Sequence, residues 1–231
     1  MKLKLKGQII SDDWAEMYRY FGYDTGFFCP NDISAAIDAL EPGEELELQV
    51  NSVGGDVDAA AEIYSALLDC SNPTRAVIQS LAASAASYMI LACDTVDIAA
   101  PAQMMIHLSS WYCGGNQHDH DWAAAQLKAQ DKSILDTYVV KCGEEHREEL
   151  SQLMDAESFL PAEDCLRLGL VDSILIPAAD EPAAPLNMVA AVHHNLITAM
   201  DMLPDIRDLI ARKEDINNKA KAQLDLEKNR F

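Results

Sequence analysis

The stretch Ser80-Leu-Ala-Ala-Ser84-Ala-Ala-Ser87 decides how this chain reads, with Asn51-Ser-Val-Gly-Gly-Asp56 ahead of it and Met104-Met-Ile-His107 behind it. Ser84 has two alanines on each side, which allows a tight strand-to-helix turn and close approach of a substrate backbone. A helix starting there turns its first N–H groups and its positive dipole end toward any developing oxyanion. Gly54-Gly55 follows an apolar alternation and is expected to form a strand-to-helix turn with an outward-facing N–H. It is not a dinucleotide fingerprint, because the third glycine is missing. His107 closes an apolar run, and a neutral imidazole is the natural acceptor for a serine proton near pH 7. Singly, each piece has a plain structural reading: a closely packed helix, a simple turn, a rim histidine. Together they supply a nucleophile, oxyanion donors and a base for attack on an acyl carbon.

Outward from this centre, strand and helix signals alternate. Strands are expected at 3–10, 45–51, 75–80, 95–99 and 103–108. Helices are expected at 30–40, after a cap at Asp56, and at 84–93. A long polar helical stretch is expected over 116–149, marked by Trp122, Leu127, Ile134, Leu135 and Tyr138. Pro161 favours a helix start, Gly169 a helix end, and 171–176 a last strand. Crossovers of helical length imply an α/β architecture with a parallel sheet. Three segments follow: a domain at 1–176, a Pro/Ala-rich linker at 177–185, and a helical, charged tail at 186–231.

An apolar share of 49% is ample for a core. There is no membrane-length apolar run and no signal-peptide pattern, so a cytoplasmic location is expected. Six scattered cysteines without a C-x-x-C read as thiols in a reducing compartment. The formal charge of −21 disfavours nucleic acid as a partner. His118-Asp-His120 at a helix start and His193-His194 in the tail read as solvated, so no metal and no cofactor is expected.

In order and spacing these residues resemble the proteolytic subunit of the Clp protease (ClpP). The resemblance rests on Asn51-Ser-Val-Gly-Gly55, Ala82-Ala-Ser84 and Met105-Ile-His107. Two closing segments extend it, Phe159-Leu-Pro-Ala-Glu163 and Gly169-Leu-Val-Asp172. It implies a ClpP/crotonase-like fold of repeated β-β-α units with a protruding handle helix. It also implies a catalytic triad of Ser84, His107 and Glu157, with Gly55 and Ala85 donating to the oxyanion. Glu157 stands where the family's housekeeping members carry aspartate, and Asp155 is the alternative acid.

Gly-Gly-Asp-Val, Ala-Ala-Ser-Ala-Ala-Ser and Met-Asp-Ala-Glu-Ser-Phe look like the head-maturation (prohead) proteases of tailed phages. That branch implies a homo-oligomer, as a ring or stacked rings, which trims scaffold, capsid or portal polypeptides inside an assembling procapsid. Val53 replaces the family proline, and Leu108-Ser109 replace Gln-Pro after the histidine. Both departures argue against docking to an AAA+ unfoldase. Two other readings stay open: an inactive ClpP-like ring or scaffold partner, and a crotonase-type acyl-CoA enzyme.

Overall fold

The computed structural model describes residues 1–176. The expected linker and tail lie outside the described residues. Contacts divide the chain into two units, and residues 1–15 and 25–176 belong to the first, which carries the sheet and the core. In the second unit the described residues are Glu16–Asp24, where the rings of Tyr18 and Tyr23 meet edge to face at 6.4 Å.

The strands are β1 (Lys2–Ile9), β2 (Phe27–Phe28), β3 (Leu46–Gly55), β4 (Thr74–Ala83), β5 (Thr95–Ala99), β6 (Gln103–Ile106), β7 (Ser158–Pro161) and β8 (Ser173–Leu175). The helices are α1 (Asp12–Tyr20), α2 (Pro30–Asp38), α3 (Val57–Leu68), α4 (Ala85–Met89), α5 (Gln117–Cys142), α6 (Arg147–Asp155) and α7 (Ala162–Arg167). The main sheet runs β2-β1-β3-β4-β5-β8, all parallel, so the expected α/β class holds. Leu46, Leu48, Val50, Ala76, Ile78, Val96 and Ile98 are fully buried on its central strands. Strands covered on both faces read as such apolar runs.

Strand β4 changes partner along its length. Arg75–Ile78 pair with β5, whereas Leu81–Ala83 pair with β6. Strand β6 in turn pairs antiparallel with β7, a strand that the sequence reading did not anticipate. This β4-β6-β7 branch builds the site.

Two further expectations are corrected. Gly54 and Gly55 are the last two residues of β3, not a turn beyond it, because both still pair with β1 after a one-residue shift of register at Val53. Asp56 then caps α3 as expected, its carboxylate accepting from the Ala59 N–H at 2.9 Å. The helix expected over 116–149 breaks at Gly143, whose φ of +102° leaves the helical region. A 3₁₀ turn and α6 follow. The first half of α5 is largely exposed, with Trp122 packed edge to face on Trp111 at 5.4 Å. From Ile134 onward its inner face joins the core. Helix α1 and strand β2 were also not anticipated.

Asp172 ties the closing segment to the sheet. Its carboxylate accepts from the Val96 N–H at 2.7 Å and from Lys141 Nζ at 2.9 Å. Among the described residues, no helix is long and apolar enough to cross a membrane, and none of the groups of acidic, His or Cys side chains could hold a metal ion.

Candidate active site

Ser84 is the first residue past β4 and caps the short helix α4. Its N–H donates to the Met105 carbonyl at 2.8 Å, extending the β4-β6 pairing by one residue. That bond sets Ser84 level with the end of β6, and His107 is the first residue past that end. The result is a contact of 2.7 Å between Ser84 Oγ and His107 Nε2. For Nε2 to accept the hydroxyl proton, the ring proton has to sit on Nδ1.

Glu157 reaches the same place by register. Strands β6 and β7 pair Ile106 with Ser158, so His107 and Glu157 are the adjoining residues just beyond that last pair. Three strand ends therefore converge: the residue after β4, the residue after β6 and the residue before β7. Asp155, the alternative acid, is the last residue of α6, so it lies in a helix and not on the strand that Glu157 leads into.

Burial holds the His107 ring below the ordinary histidine range, while the charges of Glu157 and, after it, Asp131 pull it back upward. The histidine is therefore neutral at pH 7 and able to accept a proton. No hydrogen bond joins Glu157 to the ring in this arrangement; their coupling is through charge. Asp131 is a residue that sequence reading missed. It sits on α5 and accepts from both the N–H and the Oγ of Ser109, each at 2.6 Å. Nothing local in the sequence marks it, because only the tertiary placement of α5 brings it near the histidine.

Backbone geometry singles out the same two positions. Among the described residues, the non-glycine residues with positive φ are Ser84 at 53° and Glu157 at 50°. Such conformations cost roughly 1–3 kcal/mol each and gather at functional sites.

Gly54 packs against the serine. A Cβ on it would lie 2.6 Å from the Ala83 carbonyl oxygen, 2.7 Å from Ser84 Cβ and 2.9 Å from the Ala85 nitrogen. Its N–H is engaged by Ser52 Oγ at 3.1 Å, and Ser52 donates in turn to the Gly7 carbonyl. Gly55, the next residue, abuts β1, where a Cβ would meet the Ile9 carbonyl oxygen at 2.1 Å. Ala85 opens α4, where a helix leaves its first N–H groups without an intrahelical acceptor. Ser84, Ala85 and His107 line a small pocket together with Val57, Tyr88 and Tyr138. His118 and His120 lie exposed at the start of α5.

Sequence comparison adds an independent finding. The model of the family described as "Clp protease" matches residues 31–178. The chain is 30% identical over 148 residues to the ATP-dependent Clp protease proteolytic subunit 1 of Chlamydia muridarum, covering 62% of this chain and 77% of that protein. The Chlamydia trachomatis serovar D protein of the same name matches at the same identity and coverage. The Chlamydia abortus one is 29% identical over the same length.

Proposed function

Because this chain belongs to the Clp protease family, we propose that it is a serine endopeptidase whose nucleophile is Ser84. The observation that carries this reading is the 2.7 Å contact between Ser84 Oγ and His107 Nε2. In the first step Ser84 Oγ attacks the scissile carbonyl while His107 Nε2 takes its proton. The carboxylate of Glu157 stabilises the imidazolium that forms and favours the tautomer with a proton on Nδ1. The N–H groups of Gly55 and Ala85 receive the tetrahedral oxyanion, a contribution typically worth about 10²–10³ in rate per donor. His107 then protonates the departing amine, and water repeats the sequence on the acyl-enzyme with His107 again as base.

The substrates in this reading are polypeptides, and the enzyme acts as a homo-oligomer of rings in a bacterial cytoplasm. The prohead-type segments around Ser84, Asp56 and Glu157 point further, to scaffold, capsid or portal proteins trimmed during phage head assembly. The departures at Val53, Leu108 and Ser109 favour action without an unfoldase. The test is co-incubation of the full chain with purified tailed-phage scaffold and capsid proteins. Defined cleavage by the wild type and none by Ser84→Ala supports the reading. Equal cleavage by both, or turnover of acyl-CoA esters by Ser84→Ala, overturns it.

A further inference from the structure

The buried hydroxyls of Ser87 and Tyr138 form a chain that ends on the candidate nucleophile. Ser87 Oγ lies 2.6 Å from the Ser84 carbonyl oxygen and 2.6 Å from Tyr138 Oη. Ser87 is fully buried and Tyr138 nearly so. The direction of the chain follows from counting protons. A carbonyl can only accept, so the single Ser87 hydroxyl proton is spent on Ser84 O. Tyr138 must therefore be the donor to Ser87. Burial pushes the Tyr138 phenol well above its ordinary range, so it keeps the proton that it donates. The Ser87 N–H also donates to Ser84 O, at 2.9 Å. Both lone pairs of that carbonyl are thus occupied, and the Met105 carbonyl holds the N–H of the same residue.

The Ser84 carbonyl shares one rigid trans peptide plane with the Ala85 N–H. Fixing the carbonyl fixes the direction of that N–H on the opposite side of the plane. Withdrawing electron density through two hydrogen bonds to the oxygen also makes the N–H a stronger donor, because such chains polarise cooperatively. We propose that Tyr138 and Ser87 are positioning residues, which aim and polarise the Ser84–Ala85 peptide so that its N–H serves the oxyanion. The relay runs from α5 to the nucleophile through side chains that touch no substrate. It rests on the reading of Ser84 as nucleophile and adds to it a link from the long helix to the transition state.

The test is steady-state peptide hydrolysis by the full chain carrying Tyr138→Phe, Ser87→Ala or both, with Ser84→Ala alongside and thermal melts on each. The proposal expects kcat to fall about tenfold in each single variant while KM stays within about twofold, the mark of an interaction made in the transition state. Because the two hydroxyls act in series, the double variant should be no slower than Ser87→Ala alone. Tyr138→Phe is nearly isosteric, so it decides the matter by itself if Ser87→Ala fails to fold. Wild-type kcat in Tyr138→Phe, or losses that multiply in the double variant, overturns the relay while leaving the nucleophile standing. Undiminished turnover in Ser84→Ala overturns the underlying reading instead.

Discussion

Ser84 and His107, 23 residues apart in the chain, meet at 2.7 Å because they leave neighbouring parallel strands at the same level. The hydrogen bond from Ser84 N–H to the Met105 carbonyl fixes that level. Replacing either side chain should therefore disable chemistry without disturbing the strands. Ser84→Ala and His107→Ala are expected to lose about 10⁴-fold or more in kcat/KM. Their melting temperatures should stay close to wild type. Peptide hydrolysis read beside circular dichroism melts checks both halves.

The pH profile follows from the field on His107. Burial lowers its pKa and the Glu157 charge raises it, so the neutral, active base disappears below an inflection under the ordinary histidine value. Removing the negative charge in Glu157→Gln takes away the raising influence. The acid limb of kcat/KM should then move to lower pH even as the plateau drops. Asp131→Asn should move it the same way by less, since its influence ranks second. Asp155→Asn, at the end of α6, should leave the limb in place. A titration of kcat/KM from pH 4 to 9 on the four proteins separates these cases, and a shift in Asp155→Asn with none in Glu157→Gln would move the acid role to Asp155.

Gly54 tolerates no side chain. An added Cβ would fall within 3 Å of backbone atoms of Ala83 and Ala85, at a φ of +87° that disfavours L residues. Gly54→Ala should cost about 10²-fold in kcat through displacement of Ser84. The measurement is labelling rate by a fluorophosphonate together with the melt, and wild-type labelling would show that the end of β3 accommodates the methyl.

Far from the site, Arg75 pairs with the buried carboxylate of Asp97, its Nε donating at 2.7 Å, while Ser173 Oγ donates to the other oxygen at 2.6 Å. Arg75→Leu leaves that carboxylate without its cation. Urea unfolding is expected to register a loss of about 3 kcal/mol, with specific activity of the folded fraction retained.

How much of this was legible in the sequence depends on the range of the interactions. The Asp56 cap, the strand through Leu46, Leu48 and Val50, and the helix stop near Gly169 are local, and periodicity or capping chemistry reads them directly. Ser84 and His107 stood out by residue type, but their contact depends on β4 exchanging β5 for β6, which no local pattern records. Glu157 depends on β7, a four-residue antiparallel strand interrupted by proline at its end and too short to announce itself. The break in the long helix was there to be read at Gly143. It was hidden because helical sequence continues on either side of that glycine.

The most direct test of the central claim is mass-spectrometric mapping of a fluorophosphonate adduct on the full chain. The account predicts one adduct, on Ser84, lost in Ser84→Ala and strongly slowed in His107→Ala. An adduct on another serine, with peptide hydrolysis intact in Ser84→Ala, would contradict it.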